Sequence, residues 1–399
     1  MKKIINITLL IVMITTLTAC NPLSEGSGIK TIEFIDSGDT PVESYTVEYG
    51  SKLEAPETPT YLDYEFDGWY EDSRYSKPWN FETNTVKKDT KLYAKWLTTI
   101  TQTVSIQIGF DSSNEPVYEK QVTLSKVNVN PKVVVTFALE VVDIFQSVGF
   151  DKTGITFFGL PKSNLPASIS AFESNKYPNT GTLFEPNYDT LDLMMPDLII
   201  LGGRSANLYT SLKEKYPNTD IIDVSNSTFS FEKLTEVINT LKLIFPNISE
   251  ELTTKQILID ARLSTLQSKV NGQNVLFLQI NGDQISVFGS GSRYGVLYNE
   301  FKFIPSDPGL QTLETHGNVV SFEYVSQVNP QVIFLMDRSA AIGSTGALDQ
   351  IMNNALIKNT TAGKNSDIYV LDPMSWYILP GGVESTLKMI EDIEQMFNE

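Results

Sequence analysis

Between Thr31 and Trp96 apolar and polar positions alternate in TIEFID, SYTVEY and KLYAKW, which predicts short strands with one buried face. The turn-forming clusters SGD, YGSK and APETP separate them. After a polar, β-prone stretch at 98–130 the pattern changes. PKVVVTF, GITFFG, PDLIILGG, TDIIDV, NVLFLQI, QVIFLMD and SDIYVLD are short runs dense in Val, Ile, Leu and Phe. Segments with helical spacing, such as Leu139 to Val148 and Phe229 to Ile244, lie between most of them. Dense strands interleaved with helices predict an α/β fold whose parallel sheets are covered on both faces. The longest amphipathic pattern, Glu250 to Val270, places Leu252, Ile257, Leu258, Leu263 and Leu266 broadly on one side. Its position halfway through the α/β region predicts two lobes joined by one long helix.

The amino terminus has a different character. Lys2 and Lys3 precede an apolar run from Ile4 to Met13 that ends in Leu17-Thr18-Ala19-Cys20, the layout of an export signal and too short for a confident spanning helix. Cys20, the single cysteine, stands where a bacterial lipoprotein signal places its lipidated residue; the alternative is an ordinary apolar Cys within a signal. These patterns divide the chain into a signal peptide (1–19), a lipidated tether (20–30), an aromatic β module (31–97), connecting strands (98–130), a first lobe (131–248), an inter-lobe helix (249–270) and a second lobe (271–399).

Charge narrows the partners. The formal net charge of −18 becomes about −20 if Lys2 and Lys3 leave with a signal. Such a surface excludes nucleic acid as a partner and makes any cluster of positive charge informative. Three of the four tryptophans, Trp69, Trp79 and Trp96, fall in the small module, where large aromatics must supply much of the core.

Five arginines occur in the chain. Arg204 follows LIILGG, Arg293 follows ISVFGSGS and Arg338 follows VIFLMD. In an open α/β sheet the ligand crevice lies beyond the carboxyl ends of the strands, so all three are candidates to line it, one from the first lobe and two from the second. A guanidinium is always charged and offers several donors to catecholate or carboxylate oxygens. The plain alternative is surface arginines in local ion pairs. His316 in ETHGN is the single histidine, and Tyr377 lies in DPMSWYILPGG. Each has an ordinary structural reading, yet both residue types ligate ferric iron. Tyr294 is a further aromatic candidate for ligand contact. No catalytic constellation, metal cluster or phosphate loop stands out, so an enzyme is not expected and no intrinsic cofactor is implied.

Two resemblances sharpen this reading. TIEFID, Tyr49-Gly50-Ser51-Lys52, Pro56, Phe66-Asp67-Gly68-Trp69-Tyr70, Trp79-Asn80-Phe81 and LYAKW resemble the Listeria-Bacteroides repeat of internalin B type, which implies a β-grasp-like module acting as spacer or attachment unit. From roughly Val104 to Phe397, PKVVVTFALEVVDIFQSVG, GLPKSNLP, GTLFEPNYDTLDLMMPDLIILGGR, FGSGSRYG, THGNVVSFEYV, NPQVIFLMDR and YVLDPMSWYILPGG resemble the iron-siderophore binding lipoproteins of bacterial ABC importers, in particular the petrobactin and catecholate subgroup. This likeness implies a two-lobed periplasmic-binding-protein-like fold with a long inter-lobe helix. It implies that Arg204, Arg293 and Arg338 grip an anionic ferric siderophore, with His316 and Tyr377 completing the iron shell of incompletely coordinating chelates. It further implies that Glu185 or Asp189 in the first lobe and Glu323 in the second dock onto the permease, Asp189 departing from the more usual Glu.

The function expected is extracellular capture of a ferric siderophore as transported ligand by a lipid-anchored monomer at the outer face of the cell membrane, with delivery to an ABC importer permease. The alternatives are a haem or other metal-chelate binding lipoprotein, which would call for a broad apolar face, and a surface adhesion protein, which would leave the arginine placement unexplained.

Overall fold

The structure is a computed structural model that describes residues 27–163, 165–225, 228–309, 317–344 and 347–397. Residues 1–19, expected to form an export signal, together with Cys20 and His316, lie outside the described residues. Among the described residues no helix is long and apolar enough to cross a membrane.

Strands β1 (Ile29–Ile35), β2 (Tyr45–Glu48) and β3 (Glu65–Tyr70) and the start of β4 (Thr90–Phe110) build the amino-terminal module. β1 is central, antiparallel to β2 and parallel to β4 with Ile32 opposite Thr90. Ile32, Phe34, Trp69, Trp79 and Leu92 are buried, and Trp69 meets Phe34 edge-on with ring centroids 4.8 Å apart. Aromatics therefore supply the core of this small unit, as its size requires. Beyond the module β4 continues and pairs with β5 (Pro116–Asn128) in an antiparallel ladder from Leu97 opposite Asn128 to Phe110 opposite Pro116. The 98–130 stretch is thus one long hairpin.

The first lobe holds a wholly parallel sheet of β6 (Val133–Thr136), β7 (Phe157–Gly159), β8 (Leu198–Leu201) and β9 (Asp220–Asp223), in the order β7-β6-β8-β9. Neighbouring residues on these strands enter different cores: Val134 and Ile200 face one, Val135 and Ile199 another. Both faces are covered, which is why the strands read as continuous apolar runs.

The second lobe departs from the expected parallel sheet. β10 (Asn274–Asn281), β14 (Val332–Asp337) and β15 (Ile368–Leu371) run parallel, and the short β12 (Ile304–Pro305) joins β10. However, β11 (Gln284–Val287) is hairpinned to β10, with Asn281 opposite Gln284, and pairs antiparallel with both β10 and β13 (Asn318–Val320). The tight Asn281-Gly282-Asp283-Gln284 turn, with Gly282 at φ 64°, leaves no length for a crossover helix.

The helix Ser249–Lys269 links the lobes. Leu252, Ile259 and Leu266 form its buried stripe, whereas Ile257 is 64 % exposed and Leu258 44 %. The apolar face therefore differs from the expected one: a spacing of seven residues per two turns picks out 252, 259 and 266, and rotates 257 and 258 toward water. One apolar cluster runs from Phe145 and Ile238 in the first lobe, past Leu252 and Ile259, to Phe277, Phe334 and Trp376 in the second, and includes Ile390 of the carboxy-terminal helix Val383–Glu394. Asp143 of the first-lobe helix Leu139–Ser147 accepts the backbone N–H groups of Glu384 at 2.8 Å and Ser385 at 3.4 Å, Lys255 pairs with Glu384, and Arg262 pairs with Glu394. These contacts fasten both lobes to a shared three-helix spine.

An internal correspondence also emerges. Asn187–Arg204 and Ser321–Arg338 match position for position without a gap. Each begins with a capping side chain that accepts the N–H three residues on, from Thr190 and Tyr324 respectively. Each continues with a short helix, Tyr188–Met194 or Phe322–Val328, and closes it with a left-handed residue, Met195 at φ 49° or Asn329 at φ 50°. A proline then leads into β8 or β14, and each segment ends in an arginine.

Candidate functional site: an arginine-lined cleft

Arg204 and Arg338 leave the carboxyl ends of parallel strands, β8 and β14, and so arrive in the crevice as the sheet topology dictates. At the first, Gly202 N–H donates to Ser205 Oγ at 2.9 Å, forming the tight turn that presents Arg204. At the second, Asp337 accepts the N–H groups of Ser339 at 2.9 Å and Ala340 at 3.2 Å, fixing the helical turn that begins with Arg338. Arg293 takes another route. β11 runs antiparallel, so Val287 stands level with Leu278, inside the span of β10, and its carboxyl end points away from the crevice. Arg293 reaches the cleft from the loop after β11, which corrects the strand-end rationale for this residue while keeping it at the site.

All three guanidinium groups gather on Tyr377. Their central carbons lie 5.5 Å (Arg204), 4.7 Å (Arg293) and 5.2 Å (Arg338) from its ring centroid. Arg338 Nε donates to the Tyr377 phenol oxygen at 2.8 Å and Arg338 Nη1 to Asn281 Oδ1 at 2.7 Å, while Arg204 Nη2 crosses from the first lobe to the Tyr377 carbonyl at 3.2 Å. Among the described residues none of the three pairs with a carboxylate, unlike Arg262. Tyr377 sits on a single wide helical turn, Met374–Ile378, a form that recurs at functional sites. Its neighbour Trp376 is buried and donates to Asp392 of the carboxy-terminal helix at 3.0 Å, which also accepts Asp372 N–H at 2.7 Å. Burial pushes the Tyr377 phenol up, but the Arg338 hydrogen bond and the charges of Arg338, Arg293 and Arg204 outweigh it and hold the phenol below the usual tyrosine value.

Two adjoining cavities of about 580 and 570 Å³ flank this cluster, sharing Leu139, Leu183, Phe184, Arg204, Tyr377 and Ile378. Phe184, 63 % exposed, gives an apolar wall from the first lobe, and Ala341 and Ile342 give one from the second. Ligand-sized, largely apolar clefts with a few convergent charges are the usual form of a binding site.

The remaining sequence candidates separate. Tyr294 is corrected: it is 2 % exposed, stacks on Phe277 with centroids 4.1 Å apart and donates to Gln279 at 3.0 Å, so it supports Arg293 from below and offers no surface to a ligand. Its position beside a charged cleft residue was legible, but its burial depends on β10 and the loop after β11 folding over it. Glu185, Asp189 and Glu323 are all exposed. Glu185 lines the larger cavity on a turn where Thr182 Oγ1 accepts its N–H at 2.9 Å. Asp189 and Glu323 occupy matching positions, each two residues after the cap of the corresponding helix. Asn281 and Glu140, which the sequence reading did not single out, also stand in the cleft region. Glu140 follows the end of β6 just as Arg204 follows β8, and that shared signal was available.

Residues 134–374 match the periplasmic binding protein family, and residues 31–95 match the Listeria-Bacteroides repeat domain. The chain is 34 % identical over 271 residues to the petrobactin-binding protein YclQ of Bacillus subtilis, covering 68 % of this chain and 84 % of that protein. It is 26 % identical over 255 residues to the ferric-anguibactin-binding protein FatB of Vibrio anguillarum, covering 61 % of this chain and 77 % of that one. Among solved structures, that of YclQ superposes with a TM-score of 0.63 at 31 % identity, over 74 % of this chain and 99 % of its own. The catecholate-siderophore binding protein VctP of Vibrio cholerae gives 0.60 at 26 % identity, over 74 % and 100 %. With a two-lobed α/β body, a linking helix and a cleft between the lobes, this chain belongs to the periplasmic binding protein family and carries an amino-terminal Listeria-Bacteroides repeat.

Proposed function

We propose that this protein captures an anionic ferric siderophore of catecholate type outside the cell and hands it to a membrane ABC importer. The observation that carries the reading is the convergence of Arg204, Arg293 and Arg338 on one point between the lobes, without an ion-pair partner among the described residues, in a chain of net charge −18. Like charges held together and partly buried are costly unless an anion completes them. A compact iron complex of about three negative charges matches the triad, and its aromatic rings suit the faces of Phe184 and Tyr377. The relatives YclQ and FatB bind petrobactin and ferric anguibactin, and the structural neighbour VctP binds a catecholate siderophore, which supports this reading.

Capture makes and breaks no covalent bond. The chelate enters between the lobes, the guanidinium groups neutralise it, and the shared spine limits closure to a modest movement. With a chelate that leaves coordination positions open, Tyr377 and His316 complete the iron shell. The lowered phenol value favours Tyr377 in that role. Asp189 and Glu323 present matching carboxylates, one per lobe, to basic residues of the permease; Glu185 belongs to the cleft wall. Export by the 1–19 signal, lipidation of Cys20 and a tether at 20–30 hold the protein at the outer face of the cell membrane, with the 31–97 module as spacer.

Fluorescence quenching titrations with ferric catecholates, hydroxamates, citrate and haem test the reading. Tight binding is expected for a ferric catecholate, with large loss when Arg204, Arg293 and Arg338 are replaced together. Unchanged affinity in that variant would refute the site. Substituting His316 or Tyr377 should alter the charge-transfer band of tetradentate ferric complexes, and identical spectra would remove them from the iron shell.

A further inference from the structure

The arginines are not the only ionisable wall of the cleft. Glu140 is the second residue of the helix Leu139–Ser147 and lines the same cavity as Arg204, Asn207, Arg293 and Tyr377. Its Oε1 lies over Gly202, where an added Cβ would come within 3.0 Å of that oxygen and of Ala138. The glycine turn that delivers Arg204 therefore also makes room for this carboxyl group.

The groups that face Glu140 are Arg204 from that turn, Asp223 at the end of β9 and its own backbone N–H, with Arg293 and Tyr377 across the cavity. Asp143, on the same helix, is engaged instead with the backbone of Glu384 and Ser385. Burial pushes the Glu140 carboxyl up to about 7, against the opposing pull of its N–H and of Arg204. An anionic chelate moves this balance further the same way: it occupies Arg204, brings negative charge close and displaces water, and each change disfavours the carboxylate. An ionised carboxylate would meet the chelate's oxygens with acceptors alone, whereas the neutral acid has an O–H to donate.

We propose that Glu140 is a fourth recognition residue of the cleft, donating a hydrogen bond to an acceptor oxygen of the chelate in its neutral form, so that capture takes up a proton. The inference rests on the reading of the cleft as an anionic chelate site. It specifies a chelate that turns an oxygen acceptor toward the first-lobe wall; an ammonium group there would hold the carboxylate and release a proton instead.

Calorimetric titration of the protein with a ferric tris-catecholate, in buffers of different ionisation enthalpy, counts the protons exchanged. Uptake approaching one proton is expected slightly above neutral pH. Affinity should fall as pH rises above about 7, by up to about tenfold per pH unit. Glu140→Gln keeps the shape and a donor but cannot titrate, so this variant should match the wild type on the acid side, bind more tightly on the alkaline side and lose the proton uptake. Proton release, no proton exchange, or identical pH profiles for the two proteins would overturn the proposal. The count on the wild type stands even if the variant folds poorly. Undiminished binding when Arg204, Arg293 and Arg338 are replaced together would instead remove the cleft reading, and this inference with it.

Discussion

Arg338 Nε donates a 2.8 Å hydrogen bond to the phenol oxygen of Tyr377, and this contact organises the centre of the cleft. It joins the residue that follows β14 to a helical turn anchored on the carboxy-terminal helix through Trp376 and Asp392. The same phenol ring lies within reach of Arg204 and Arg293, so one aromatic side chain serves three cations that form no ion pair among the described residues. Aromatic faces and phenol oxygens both attract guanidinium groups, and this sharing lets the triad stay assembled.

The Tyr377 phenol should therefore ionise below the usual tyrosine range. Near-ultraviolet phenolate absorbance, followed through an alkaline titration of the wild type and of Tyr377→Phe, isolates its signal. Arg338→Met should move that signal upward, because it removes both the hydrogen bond and the guanidinium charge that lowers the phenol most. An unmoved titration would show that Arg338 does not govern the phenol.

Single replacements of Arg204, Arg293 or Arg338 by Met should each weaken ferric catecholate binding by about 1.5–3 kcal/mol, the usual worth of a hydrogen bond to a charged group, or roughly tenfold and upward. The same variants relieve repulsion in the ligand-free protein. Thermal unfolding should thus show unchanged or raised midpoints without ligand and smaller ligand-induced shifts, which separates lost recognition from damaged folding.

Asp143→Ala should lower stability by about 1–2 kcal/mol, the cost of losing a helix-capping carboxylate. Gly382→Ala should also destabilise, since its Cβ would fall 2.3 Å from Asp143 Oδ2. Burial pushes the Asp143 carboxyl up to about 7. Between the unfolded carboxylate value near 4 and about 7 the folded protein binds the extra proton, so stability contributed by this group falls as pH rises across that window. Denaturant unfolding across that pH range should lose this component in Asp143→Asn.

Charge reversal at the two matching exposed positions, Asp189→Lys with Glu323→Lys, should leave siderophore affinity within about twofold, because neither residue lines the cleft cavities. Stimulation of the importer's ATPase in reconstituted membranes should fall sharply. Retained stimulation would exclude these residues as docking points, and Glu185→Lys in the same assay tests the remaining first-lobe carboxylate.

Much of this protein is determined locally and could be read from the chain. The seven apolar runs became strands because dense β-branched and aliphatic residues suit a sheet buried on both faces, and the aromatic module followed from the core a small domain needs. Arg204 and Arg338 were placed by a rule of topology alone, since each follows the carboxyl end of a parallel strand. Tertiary structure decided the rest. The antiparallel course of β11 changed how Arg293 reaches the cleft, and the stacking of Tyr294 on Phe277 withdrew that ring from the ligand's side. The exposure of Ile257 and Leu258 was settled by where the linking helix meets both lobes. The meeting of three guanidinium groups around Tyr377 joins residues far apart in the chain, and no spacing or composition encodes it. Local propensity selects each element, whereas direction, burial and charge proximity exist only once those elements pack against one another.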